Sequence, residues 1–219
     1  MKKTLAASCL AAFGLIQPAM AGDMAIGAKV GTLGAGVEIV SNVVPMLVNA
    51  RIQLNAYNLN RTITDTQVSY DAKFKLLSFG ALADVYPFAG KFRLTGGLYY
   101  NGNKLTMTGV PLVGSYTING ATYTAGQVGS LTSTVDFNKI APYAGIGFGD
   151  SISSGSPIGF NFDLGVLYMG QPKTAITATG AAANPALAAS IAGEKQKLDD
   201  ALKNMQFYPV ASIGVTFRF

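Results

Sequence analysis

The stretch Val48–Asn58, VNARIQLNAYN, puts Val48, Ala50, Ile52, Leu54 and Ala56 on one face of an extended chain and Asn49, Arg51, Gln53, Asn55 and Tyr57 on the other. Successive side chains of a strand point to opposite faces, so this alternation predicts a strand with one apolar and one wet face. An arginine in the middle of the wet face must meet either water or an acid. The fold depends on which.

The pattern recurs along the chain. GFNFDLGVLY (159–168) sets Phe160, Phe162, Leu164, Val166 and Tyr168 against Asn161, Asp163 and Gly165, and FRLTGGLYYN (92–101) sets Phe92, Leu94, Leu98 and Tyr100 against Arg93, Thr95 and Asn101. The ending ASIGVTFRF (211–219) opposes Ala211, Ile213, Val215, Phe217 and Phe219 to Ser212, Gly214, Thr216 and Arg218. Residues 24–43 hold two strands around the glycines Gly31 and Gly34, with Lys29 on one polar face and Glu38 on the other. Eight strands are expected, over 24–31, 34–43, 47–59, 67–86, 91–105, 138–149, 157–170 and 208–219. In the fourth, Lys73 and Lys75 share a parity with Leu77, Phe79, Ala81 and Val85, which predicts a bulge near 75–77 or an exposed upper half.

The connectors differ in character. NVVPML, PFAGK and GDSISSGSP are short, whereas NRTITDTQ, 106–137 and 171–207 are longer and polar or mixed. Short turns at one end and long loops at the other is the organisation of a membrane barrel, and an even strand number returns both termini to the short-turn end. Asn119-Gly120 between alternating flanks predicts a hairpin in the loop at 114–124. Residues 184–207 read as the one helix: Asn184 as cap, Pro185 in the first turn, and Leu187, Ile191, Leu198, Leu202 and Met205 in a stripe.

Composition narrows the choice. Only 12% of residues are charged, while 49% are hydrophobic. Residues 1–21 combine Lys2 and Lys3 with an apolar run from Leu5 to Ile16 and small residues at Ala19 and Ala21, the pattern of a cleaved secretory signal. The remaining domain is 22–219, and no stretch in it is an apolar run long enough for a spanning helix. Cleavage removes the single cysteine, Cys9, and two of the 16 basic residues, leaving 14 against 11 acidic ones, too small an excess to argue for nucleic acid. High apolar content without a spanning helix leaves two architectures, strands that face lipid or a soluble secreted β-sandwich of the adhesin type.

The polar parity favours the barrel. Lys29, Glu38, Arg51, Asp84, Arg93, Asp163 and Arg218 fall on the wet faces of different strands, diluted by Gly, Ser, Thr and Asn. In a closed barrel they converge and neutralise one another, which a narrow lumen requires. Tyr57, Tyr86, Phe88, Tyr99, Tyr100, Tyr143, Tyr168, Phe207 and Tyr208 lie near strand ends, where barrels carry interfacial girdles.

The final strand ending GVTFRF, the segments APYAGIGFGD and GFNFDLGVLY and the signal peptide together resemble small Gram-negative outer-membrane barrels, the OmpA/OmpX-like superfamily, and the helical insertion at 184–207 departs from that pattern. The resemblance implies an all-β, up-and-down antiparallel transmembrane barrel of eight strands located in the outer membrane. It implies that Phe219, with Phe217 and Val215 alternating behind it, is the signal read by the barrel-assembly machinery. Its partners would be periplasmic chaperones, that machinery, and outer-membrane lipid and lipopolysaccharide.

Chemistry is sparse. There is no histidine, which removes a Ser-His-Asp triad, a His-Asp dyad, a histidine-based acyl-transfer site and the usual zinc ligands, and the acids are too dispersed to name a two-carboxylate pair. The glycine runs GTLGAG and GIGFG lie outside any βαβ unit. No catalytic residue, metal or cofactor is expected. The expected function is structural or surface-interaction, through the long loops. The alternative is a narrow solute channel gated by the lumen charges.

Overall fold

The computed structural model describes residues 24–64, 68–88, 90–111, 114–149 and 156–219, so the predicted signal at 1–21 lies outside the described residues. The strands are β1 (Met24–Gly31), β2 (Gly34–Val44), β3 (Val48–Thr64), β4 (Val68–Val85), β5 (Phe92–Asn101), β6 (Lys104–Pro111), β7 (Ser115–Ile118), β8 (Ala121–Thr124), β9 (Leu131–Asp136), β10 (Ile140–Phe148), β11 (Ile158–Tyr168), β12 (Lys173–Ala178) and β13 (Phe207–Arg218). Helix α1 is Ala125–Val128 and helix α2 is Pro185–Leu202.

Eight of these strands form a closed antiparallel barrel, in the order β1-β2-β3-β4-β5-β10-β11-β13, with β13 returning to pair with β1. Closure excludes the two-sheet sandwich. It leaves no free edge in the wall, as a strand set without a helical cover needs. The outer parity carries Ile52, Leu54, Phe79, Leu98, Phe160 and Val215, all among the exposed large hydrophobics. The inner parity of the same strands is buried, with Arg51, Gln53, Asn55, Thr95, Asn161 and Thr216 each at most 5% exposed. The hydrophobic pattern is therefore turned inside out relative to a soluble domain, and water is the wrong solvent for the exterior.

Both ends of the barrel sequence, Met24 and Arg218, lie at one end, here termed proximal; the β1–β2 turn at Thr32-Leu33 lies at the distal end. β3 and β4 run on beyond the distal rim, and their pairing is continuous from Val48↔Val85 to Thr64↔Ser69. No bulge interrupts 75–77, so the parity conflict in β4 has the other predicted cause, an upper half that stands clear of the barrel.

The expected strand over 91–105 divides. β5 stops at Asn101, and a new strand starts at Lys104. Asn101 and Asn103 are buried; the Asn103 N–H donates to Asn101 Oδ1 (3.1 Å), and the Leu77 N–H donates to Asn103 Oδ1 (2.9 Å). These amides satisfy the backbone where β4 changes partner, from β5 below to β6 above. Beyond that point β3, β4, β6, β9 and β12 form a distal sheet.

One face of the distal sheet is covered. The hairpin β7–β8 turns at Asn119-Gly120, where φ is 50° and 83°, the positive pair that an Asn-Gly turn supplies. Helix α2 begins as expected, with Asn184 accepting from the Leu187 N–H (3.2 Å) and Pro185 at its start, but it ends at Leu202 rather than 207. Leu187 and Ile191 pack with Tyr116, Ile118, Tyr123 and Val128 against Leu131 and Ile176. Met205 lies outside the helix and is exposed.

Candidate functional site

Six of the seven charges that the wet parity singled out meet inside the barrel. Lys29 comes from β1, Glu38 from β2, Arg51 from β3, Asp84 from β4, Arg93 from β5 and Asp163 from β11, and none is more than 7% exposed. Arg51 is the hub: Nη1 donates to Asp163 Oδ2 (2.9 Å) and to Glu38 Oε2 (3.4 Å), and Nη2 donates to Asp84 Oδ1 (2.9 Å) and Asp163 Oδ1 (3.2 Å). Arg93 Nη2 donates to Asp163 Oδ1 (2.6 Å), and its Nη1 to the Gly149 carbonyl (2.9 Å). Lys29 Nζ donates to Gln53 Oε1 (2.5 Å) and lies 3.4 Å from Glu38 and 3.5 Å from Asp163. Three bases thus face three acids, and the layer is neutral as a whole.

Neutral residues complete the shell. Thr95 Oγ1 donates to Asp84 (2.6 Å), Asn161 Nδ2 to Glu38 Oε1 (2.9 Å), and Gln53 Nε2 to the Tyr99 hydroxyl. Glycine sets the available space: a Cβ on Gly147 would stand 2.6 Å from Arg93 Nε and 2.9 Å from Asp163 Oδ1. The GIGFG run is thus room for a guanidinium inside the wall. Breaking one member of such a layer leaves a buried charge without its partner, at a cost of about 3–5 kcal/mol.

Distal to the charges the lumen is closed by apolar and aromatic side chains. Leu33, Leu82, Tyr99, Tyr143, Leu167 and Met169 form one buried cluster, and the rings of Tyr99 and Tyr143 meet edge to face at 5.6 Å. Tyr99 and Tyr143 are therefore lumen residues, as is the buried Tyr86, whose hydroxyl accepts from Asn49 Nδ2 (3.3 Å), and the expectation that the three belong to an interfacial girdle is corrected; Phe88, Tyr100, Tyr168 and Phe207 are exposed, as girdle residues must be. The strand-end pattern could not separate the two sets, because an end residue's parity decides which side it takes. The cavity bordered by Lys29, Asn55, Tyr99 and Ser212 has a volume of about 10 Å³, room for one water at most.

Arg218 is not part of the layer. It stands opposite Ala25 at the proximal end of β13, where its backbone N–H donates to the Pro157 carbonyl (2.9 Å). Its separation along β13 from Ser212, which donates to Asp163, is the reason: six residues span roughly 20 Å of strand. Phe219 is exposed beside it, its N–H donating to the Met24 carbonyl (3.2 Å). Among the described residues no group of three or more His, Cys, Asp or Glu could hold a metal ion, and no helix is long and apolar enough to cross a membrane.

The architecture is that of a small outer-membrane β-barrel. No protein-family model matches the chain, and no curated protein is significantly similar to it. Among solved structures it is similar to CarO2 of Acinetobacter baumannii, with 21% identity and a TM-score of 0.59 over 90% of this chain and 98% of that one. CarO of the same organism aligns with 19% identity and a TM-score of 0.56, over 89% and 97%. At these identities the shared property is the fold. A major outer membrane protein from Thermus thermophilus aligns with 11% identity and a TM-score of 0.42, which is too low to carry an argument.

Proposed function

We propose that this chain is a non-enzymatic outer-membrane barrel whose lumen does not conduct and whose distal sheet and helix are held outside the cell for surface contacts. The observation that carries the reading is the lumen itself. A solute path needs continuous space, and here Arg51 and its three acids fill the section that Tyr99 and Tyr143 then cap. The proximal end, bearing Met24, Arg218 and the shorter connectors, faces the periplasm in this reading.

The test is planar-bilayer recording with insertion verified by heat-modifiable gel migration. A silent bilayer is the expected result; discrete conductance steps in the unmodified protein would overturn it. A gated channel is the second reading, and one observation favours it. Glu38, Asp84 and Asp163 each lie within 3.6 Å of two or more bases, so the guanidinium pairings have alternatives close by. That reading requires steps that appear with voltage or pH and that change in Arg51→Ala.

A further inference from the structure

The uncovered face of the distal sheet has an order that neither a structural plug nor a channel requires. Directly opposed strand residues share a face, so the register places Asn58, Lys75, Lys104, Asp136 and Lys173 in one row across β3, β4, β6, β9 and β12. The next row away from the barrel holds Asn60, Lys73, Thr106 and Thr134, and the one beyond it Thr62, Asp71, Thr108, Thr132 and Thr177. Lys75 continues the parity of Phe79, whose cross-strand partners Leu54 and Tyr100 are exposed on the barrel exterior. It is therefore on the outside, four residues and about 13 Å of tilted strand above the apolar wall. Lys139 immediately precedes Ile140, which pairs with Tyr100 and is 60% exposed.

Going away from the barrel, the surface reads apolar, then basic, then hydroxyl. The basic level is electrostatically unbalanced. Lys75 and Lys104 stand directly opposite one another, a like-charge cross-strand pair that destabilises a sheet. Asp136 is 3.3 Å from Lys104 and 3.9 Å from Lys139, and Asp71 is engaged by the Thr62 hydroxyl (2.8 Å), so among the described residues of this face two carboxylates are shared among Lys73, Lys75, Lys104, Lys139 and Lys173. An anion seated on the row would remove the repulsion.

We propose that this face is a docking surface for a phosphorylated glycolipid of the outer leaflet. Its acyl chains lie on the wall at Phe79, Tyr100 and Ile140; its phosphates sit on Lys75, Lys104 and Lys139; and its sugar hydroxyls meet the threonine rows above. A soluble acidic protein would match the lysines but not the apolar surface below them, whereas an amphiphile matches all three levels in order. The proposal rests on the reading that the distal end lies outside the cell in the outer membrane.

The test uses the full-length barrel, folded in neutral detergent, and binding of diphosphoryl lipid A followed by native mass spectrometry. The same lipid stripped of its phosphates, and inorganic phosphate as competitor, are separate arms. Lys75→Gln/Lys104→Gln should lose roughly tenfold or more in affinity, while Lys91→Gln/Lys197→Gln, which removes the same charge elsewhere, should not. Dephosphorylated lipid should bind the unmodified protein as weakly as the phosphorylated lipid binds the first variant, and millimolar phosphate should not compete. Equal binding by both variants, or equal losses in both, overturns the proposal. Displacement by inorganic phosphate assigns the row to a free anion instead. Should the first variant fail to show the heat-modifiable shift, salt decides with the unmodified protein: sodium chloride must weaken binding of the phosphorylated lipid and not of its dephosphorylated form. Failure of the localisation reading is visible separately, as absence from the outer-membrane fraction.

Discussion

Arg51 and Asp163 lie 112 positions apart in the chain and meet across the lumen at 2.9 Å, guanidinium to carboxylate, with both side chains 2% exposed. Neither β3 nor β11 touches the other in the wall; each is the other's partner only through the interior. The contact is thus a cross-brace of the closed barrel.

Arg51→Ala is expected to destabilise the folded barrel by about 3–5 kcal/mol, since it leaves Asp84, Asp163 and Glu38 buried without their shared cation. Urea unfolding in lipid vesicles measures it. Lys73→Ala, on the exposed face of β4, is the comparison and should lie within about 0.5 kcal/mol of the parent.

Leu187 is fully buried between α2 and the distal sheet. Leu187→Ala should loosen the distal layer by about 2–5 kcal/mol, while the barrel closes as before. Limited proteolysis ought to cut within 185–202 in the variant and spare the parent, with heat-modifiable migration unchanged. Loss of that migration would mean that the helix supports the barrel itself.

The Lys195 ammonium at 2.6 Å, and then the Thr174 hydroxyl, hold the Asp199 carboxyl below the ordinary carboxylate value of 3.8. A depressed folded-state pKa contributes stability that is present above the unfolded value and is lost as pH falls through the folded one. Docking of α2 on β12 should therefore be intact at pH 5 and weaken below pH 3.8. Carbon-detected NMR titration of the side chain gives the midpoint, and Lys195→Ala should raise it toward 3.8; a midpoint unmoved by that change would show the hydrogen bond to be unimportant.

Deletion of Phe219 should reduce the amount of barrel inserted in cells more than truncation of the β7–β8 hairpin does. The ring is exposed at the proximal end of β13, where it contributes nothing to the lumen, so a loss of assembly would speak for recognition rather than packing. Quantifying heat-modifiable protein in outer-membrane fractions separates the two. Equal yields would remove Phe219 from any assembly role.

Much of the barrel could be read from period-two patterning, because strand parity is a local property. The alternation in Val48–Asn58 and Gly159–Tyr168 placed Arg51 and Asp163 on the same side of the wall before either had a partner. The Asn-Gly hairpin and the Asn184 cap were legible for the same reason, each being set by a few adjacent residues. The switch at Asn101-Gly102-Asn103 is masked in the sequence, although the triplet is itself a turn signal. Alternation on both of its sides suggested a single strand, and only the identity of the strand alongside β4 shows that there are two. The strands β6, β9 and β12 are hidden in the long loops for a related reason: threonine falls on both faces of β12, at Thr174 and Thr177, and the threonines of β6 and β9 oppose small Gly109 and Ser133 as well as leucine, so the contrast is shallow.

The sequence by itself determined which side chains point inward and which outward, that bases and acids share the inner parity, and where the tightest turns fall. Tertiary structure alone decided which charges meet: closure brings Lys29, Glu38, Arg51, Asp84, Arg93 and Asp163 to one level and leaves Arg218 about 20 Å away along its strand. It also decided that Tyr99 and Tyr143 cap a lumen and that Lys75, Lys104 and Lys173 form a row. The reason is common to both. Parity is a property of one strand, but height along the barrel axis depends on the register between strands, and register is fixed only when the sheet has closed on itself.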